Sequence, residues 1–174
     1  FLYLGAMTDS YDFQTLFEAV KILQTTSPGF EIHFAGSGPL EEPLKQQVKD
    51  LQLEDKIHFH GFLSLKEMEA LCGQCHVGLN IIRDGLHITM PHKLNDYLCA
   101  GLDVISSLPG ESAELLETYK AGVLYTAGDP QGLAVAMQRY LETKNAPQGG
   151  ALKLAAERLD REKSYPVWGR WLVN

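Results

Sequence analysis

A chain of 174 residues that is 45% hydrophobic and 21% charged can bury one sizeable core, roughly 70% of the surface its unfolded form exposes. A net charge of −7 gives no pull toward nucleic acid or anionic lipid, and no apolar run approaches the about 20 residues that a membrane helix needs. Three cysteines are an odd count, which speaks against a disulfide framework and suits a reducing compartment.

The chain opens at FLYLGA (1–6), without Met and already in a strand-like run, and no signal peptide is evident. It reads as a piece of a longer protein. Asp12 is a candidate N-cap, after which Phe13, Leu16, Phe17, Val20 and Leu23 recur at helical spacing up to Pro28-Gly29. FEIHFAG (30–36) is a second strand. Leu44, Val48 and Leu51 stripe a second helix, with Pro43 in its first turn. KIHFHG (56–61) is a third strand, and SLKE (64–67) is a capping box opening a third helix. HVGLNII (76–82) is a fourth strand, followed by a long loop. Pro91 stands at the expected first position of a helix over 91–100, and Gly101 at its end. LDVISS (102–107), a helix over about 111–119, GVLYTAG (122–128) and a helix from Pro130 follow. NAPQGG (145–150) is linker-like, 151–164 reads as helical, and the chain ends on the aromatic tail YPVWGRWLV.

Strands alternating with helices predict βαβ units and a parallel sheet. Six apolar strands predict an α/β, doubly wound fold with strand order 3-2-1-4-5-6. Ligands in such folds bind beyond the carboxyl ends of the strands, where strands 1 and 4 diverge. The loops beside that point are GAMTDSYD (5–12) and IIRDGLHITMPHK (81–93); the second is long for a βα loop, and long loops in compact domains are often functional.

CGQCH (72–76) matches a haem-attachment pattern and a redox dithiol. On the third helix, however, Leu65, Met68, Leu71, Cys72 and Cys75 follow an apolar stripe. The cysteines fall at its C-terminal end, where the dipole favours the neutral thiol. No second Cys pair completes a zinc site. Packed thiols are the expectation.

Chemistry could reside in four stretches. Gly36-Ser37-Gly38-Pro39 lets backbone approach a ligand, or is an ordinary turn. In Met90–Tyr97, free N–H groups at His92 and Lys93 could bind phosphate. Helical spacing groups His92, Lys93 and Asp96 on one polar face, with Leu94, Tyr97 and Leu98 toward the core. Lys93 could neutralise a phosphate and Asp96 accept two ribose hydroxyls; a solvated Lys–Asp pair is the alternative. HGF (60–62) could wall a base pocket or be a turn. The loop Gly5–Asp12 has no GxGxxG and no Lys or Arg. His33, His58 and His60 alternate on strands 2 and 3 and read as packed, hydrogen-bonded residues. Arg83 and His87 are either solvated or contacts to sugar or phosphate.

Taken in order, FLYLGAMTDSYDFQTLFEAV, FAGSGPLEEPLKQ, LEDKIHFHGFLSLKEMEAL, MPHKLNDYLCAGLDVISS and GVLYTAGDPQGLAVAM resemble the C-terminal donor-binding domain of retaining GT-B glycosyltransferases, the family related to sucrose synthase. The resemblance covers almost the whole chain. It implies one Rossmann-like domain over 1–174, with 151–174 as closing helices that carry Trp168 and Trp171, and a missing N-terminal acceptor domain of the same protein. It implies binding of a UDP- or GDP-linked sugar for transfer to a saccharide or lipid-linked acceptor in cell-surface polysaccharide synthesis. It implies a donor site at Gly5, Tyr11, Gly36, Ser37, Gly38, Phe62, Pro91, His92, Lys93, Leu94 and Asp96, with no cofactor, no metal and no nucleic-acid partner. It implies a cytoplasmic protein, with peripheral attachment of the full-length protein to the inner membrane face left open. Two glutamates seven residues apart are common in the family; the later position is Asp96 here and the earlier is Ile88. The first loop lacks the Arg and Lys of many members; the subfamily with P-x-K-x-x-Asp/Glu-Tyr and an aromatic-acidic pair such as Tyr11-Asp12 is more similar. The fragment alone is expected to bind donor without catalysing transfer. A GT-B nucleotide-sugar 2-epimerase, a degenerate nucleotide-binding module and a flavodoxin-like domain are the competing readings.

Overall fold

The computed structural model describes residues 1–27, 29–86, 91–142 and 149–158. The chain runs β1 (Leu2–Leu4), α1 (Phe13–Gln24), β2 (Ile32–Ala35), α2 (Glu41–Asp50), β3 (Ile57–Gly61), α3 (Leu65–Cys72), β4 (Val77–Asn80), α4 (His92–Cys99), β5 (Asp103–Ser106), α5 (Glu111–Tyr119), β6 (Gly122–Leu124), α6 (Pro130–Glu142) and α7 (Gly150–Arg158). The six strands form one sheet in the order β3-β2-β1-β4-β5-β6, and every pairing is parallel. This is the doubly wound α/β fold the strand pattern predicts.

Alternation along each strand feeds two cores. On one face Tyr3, Phe34, Leu79 and Ile105 pack with Phe17 and Val20 of α1, Leu44 and Val48 of α2, and Leu133 and Met137 of α6. On the other, Leu2, Leu4, Ala35 and Val104 pack with Leu71 of α3, Leu94, Tyr97 and Leu98 of α4, Leu116 of α5, and Ala151 and Leu154 of α7.

The elements are shorter than their apolar runs. β1 stops at Leu4 and β6 at Leu124. β4 stops at Asn80, and Ile82 instead makes an isolated antiparallel bridge to Tyr11. α1 ends at Gln24, before Pro28-Gly29, because the Thr25, Thr26 and Ser27 amides turn back onto Ile22 and Leu23. Both ladders of capping follow the sequence signals: Asp12 accepts from the Thr15 amide, and Ser64 and Glu67 exchange the two capping-box bonds. The expected stripe of α3 is only partly realised. Leu65 is 77% exposed and Cys75 lies past the helix end. Cys75 is buried and Cys72 half-buried. Burial raises the pKa of both thiols, the environment of packed cysteines rather than reactive ones. Of the expected helix over 151–164, α7 covers residues to Arg158. His87, Ile88, Met90, Trp168 and Trp171 lie outside the described residues.

The strand pair at the centre of the sheet barely pairs. Its register holds a single partnership, Leu2 with Gly78. Above it the Tyr97 hydroxyl accepts from the Leu4 amide at 2.8 Å and donates to the Leu79 carbonyl at 3.2 Å. The Tyr97 ring lies so close over β4 that a Cβ on Gly78 would stand 2.3 Å from it. The strands diverge around this phenol, which opens the sheet where a ligand site is expected.

Candidate functional site

Three loops meet at that opening. The β1–α1 loop is locked to the β2–α2 loop backbone to backbone: the Gly5 amide donates to the Ala35 carbonyl, the Met7 amide to the Ser37 carbonyl and the Leu40 amide to the Met7 carbonyl. A Cβ on Gly36 would stand 2.2 Å from the Gly5 carbonyl oxygen, and one on Gly38 2.5 Å from the Met7 oxygen. Gly36 also has φ of +130°. Both positions require glycine for this loop contact, whatever lies above it.

The third loop ends at α4. Pro91 is its N-cap, not its first helical residue as the sequence suggests, with ψ of 138° and no side-chain capping bond. The residue before the first turn is therefore extended, and the helix proper starts at His92. The Leu94 amide is taken by the Pro91 carbonyl. The first turn holds no acidic residue, so its dipole is not offset locally.

Lys93 departs most from expectation. It does not share a polar face with His92 and Asp96. Those two are exposed, whereas Lys93 is 7% exposed beneath the β1–α1 loop. Its Nζ lies 3.5 Å from the centre of the Tyr11 ring and 3.9 Å from that of Tyr3. Gly5 lies against it: a Cβ there would stand 3.6 Å from the Lys93 Cε, an ordinary contact, and it is the φ of +112° that favours glycine. The ammonium has no hydrogen-bond partner. Desolvation pushes its pKa down to about 6, while the faces of the two tyrosines attract the charged form. Burial raises the phenol pKa of Tyr3 and Tyr11, so both rings stay neutral.

The structure thus brings Gly5, Tyr11 and Lys93 together, and sets Gly36, Ser37 and Gly38 against Gly5 and Met7. Pro91 is buried at the start of α4, and Leu94 is buried in the core. Phe62 follows β3, two strands from β1, and is 87% exposed. Arg83 is exposed, and its amide donates to the Ser10 carbonyl. His33 Nδ1 and His60 Nε2 lie 3.0 Å apart, and His33 stacks on His58. Burial first, then neighbouring positive charge, pushes the His33 pKa down. Among the described residues no group of three or more His, Cys, Asp or Glu could hold a metal ion.

Sequence reasoning missed two things. One is Tyr3, a lone phenol in an otherwise apolar strand that becomes a wall of the Lys93 cage. The other is a polar cluster beyond β4, β5 and β6. There Asn80 Nδ2 donates to Ser106 Oγ at 2.9 Å, the Leu108 amide donates to the same oxygen, and Ser107 Oγ donates to the Ile82 carbonyl at 2.7 Å. A cavity of about 330 Å³ opens beside it.

A family model described as "Glycosyl transferases group 1" matches residues 1–143. WcaL of Escherichia coli, a candidate glycosyltransferase of colanic acid biosynthesis, is 25% identical over 174 residues, covering 98% of this chain and 43% of that protein. The crystallised C-terminal domain of a group 1 glycosyl transferase (LpcC) from Francisella tularensis superposes with a TM-score of 0.74 at 17% identity, over 91% of this chain and 84% of that one. Anabaena HepE, solved in complex with UDP, superposes with a TM-score of 0.75 at 20% identity, over 99% of this chain and 48% of that one. The chain thus spans about two fifths of the length of the curated relatives it matches.

Proposed function

This chain belongs to the glycosyl transferases group 1 family, and from that premise we propose that it is the donor-binding half of a retaining GT-B glycosyltransferase. Its ligand is a nucleoside-diphosphate sugar, UDP- or GDP-linked. One observation carries this reading: Lys93 is buried, cationic by type and without a hydrogen-bond acceptor, at an uncapped helix N-terminus beside a glycine loop. A buried ammonium without an acceptor is costly, and a diphosphate supplies the missing acceptor. The His92 and Lys93 amides at the start of α4 add dipolar donors. The anionic leaving nucleotide would be held by these fixed donors as the glycosidic bond breaks. Asp96, exposed one turn further along α4, would accept ribose hydroxyls.

The UDP held by HepE favours uridine, and the colanic acid assignment of WcaL favours a saccharide or lipid-linked acceptor in polysaccharide synthesis. Three free thiols suit the cytoplasm, and no described helix is long and apolar enough to cross a membrane. Transfer itself needs the acceptor-binding half. Ile88 at a usual glutamate position favours a second reading, a nucleotide-binding module that has lost catalysis.

Titration with UDP, GDP, ADP and CMP, followed by amide NMR shifts, tests the proposal. Saturable shifts at Gly36–Gly38 and Lys93–Asp96 with one diphosphate, weakened in Asp96→Ala, are expected. No shift with any nucleotide, in this chain or in the chain joined to its acceptor half, would sink it. Binding without turnover in the joined protein would select the second reading.

A further inference from the structure

The cavity beside the polar cluster is lined by Asp84, Ser107, Pro109, Leu124, Tyr125 and Thr126, among others. It sits at the carboxyl ends of the strands, as the Lys93 cage does. The two flank one short segment. On one side the Asp12 amide bonds the Ile81 carbonyl and the Arg83 amide the Ser10 carbonyl; on the other Ser107 Oγ bonds the Ile82 carbonyl. Three features of the cavity describe its occupant. Its polar groups are hydroxyls and one carboxylate, and among the described residues no Lys, Arg or His lines it, so it suits hydroxyl groups and not an anion. Leu108, Pro109, Leu124 and Ala127 supply apolar patches for C–H faces. Its volume falls at the low end of small-molecule sites, roughly 300–1,000 Å³, which is room for one ring.

Tyr125 supplies the independent sign of a ligand. The residue is 8% exposed; Ser107 approaches its hydroxyl but at a geometry that makes no full hydrogen bond. Burial raises its pKa, so the phenol stays a donor. Buried hydroxyls are rarely left unpaired. Asn80 Oδ1, at the end of β4, is likewise without a partner.

We propose that this cavity is a subsite for a single neutral sugar ring, anchored by the Tyr125 hydroxyl and bounded at its rim by Asp84. The proposal deepens the nucleotide-sugar reading and rests on it for the identity of the ligand class. It assigns sugar recognition to the ends of β5 and β6. The ring belongs either to the donor or to the end of the acceptor.

The test uses the full chain and its Tyr125→Phe and Asp84→Asn variants. Calorimetry measures UDP, UDP-glucose, UDP-galactose and UDP-N-acetylglucosamine. Saturation-transfer NMR measures methyl glycosides with and without UDP. If the donor's sugar is the occupant, one nucleotide sugar binds more tightly than UDP. Each variant then removes about three- to tenfold of that advantage and leaves UDP affinity unchanged. If the acceptor's sugar is the occupant, UDP and its sugars bind alike, and a methyl glycoside shows saturation transfer that both variants weaken. If neither variant alters any sugar response, the Tyr125 hydroxyl holds water only and the proposal falls. Loss of UDP binding with an intact glycoside response would instead sink the diphosphate reading alone. Asp84 is exposed, so its variant keeps the test valid should Tyr125→Phe fail to fold.

Discussion

The Tyr97 hydroxyl takes the Leu4 amide at 2.8 Å, where a parallel ladder would have used a carbonyl of β4. A helix side chain thereby stands in for a strand at the centre of the sheet. The phenol is fully buried and also serves the Leu79 carbonyl. Tyr97→Phe would strand both groups. It should cost about 1–3 kcal/mol, read as a lowered urea midpoint at unchanged slope. An unchanged midpoint would show that water replaces the hydroxyl.

Lys93 sets stability against binding. Lys93→Met keeps the apolar stem in the tyrosine cage and removes an amine that the fold must either strip of its proton or hold charged without an acceptor. The unliganded domain should gain about 1–2 kcal/mol, while UDP affinity should fall about tenfold or more. Thermal melts and calorimetry on the same preparation check both. Lower stability together with unchanged affinity would contradict the assignment of Lys93 to the diphosphate.

The same residue gives a pH dependence with a definite sign. In the fold its pKa is near 6, against 10.5 for an ordinary lysine. Between those values the unfolded chain holds a proton that the folded chain lacks, so this contribution makes stability rise with pH. The penalty is full below about 6 and vanishes above the unfolded value. The faces of Tyr3 and Tyr11 favour the charged form and narrow the window from below. Melting temperatures measured across it should climb more steeply for the wild type than for Lys93→Met. Parallel profiles would refute the shift.

Gly38→Ala would place a methyl 2.5 Å from the Met7 carbonyl oxygen and 2.6 Å from its nitrogen. Both neighbours are backbone and cannot swing aside. A loss of about 2–4 kcal/mol is expected, with the β1–α1 loop amides most displaced in NMR spectra. A near-neutral substitution would mean that the loops are not interlocked.

The fold was readable because six apolar runs alternate with helical stripes, and that periodicity is local. The caps at Asp12 and Ser64 were readable for the same reason. The burial of Lys93 was half readable. It stands four residues before Tyr97, so helix geometry puts the two on one side of α4, but its charge argued for the solvent face beside Asp96. The aromatic cage was not readable, since it depends on which loop folds over α4. Gly36 and Gly38 announced a close backbone approach but not its partner, which is the neighbouring loop. The hydroxyl cluster of Asn80, Ser106 and Ser107 joins the ends of two strands whose adjacency comes only with the sheet order.

The way α4 is fastened bears on how this scaffold tolerates redesign. Tyr97 pins the helix into the sheet one turn beyond Lys93, and Leu94 and Leu98 seat it on the second core. The position of the Lys93 ammonium is therefore inherited from the sheet rather than from the stretch of chain between Arg83 and Pro91. Loop grafts of different length and composition in that stretch should exchange the chemistry presented to a ligand while the Lys93 cation stays in register.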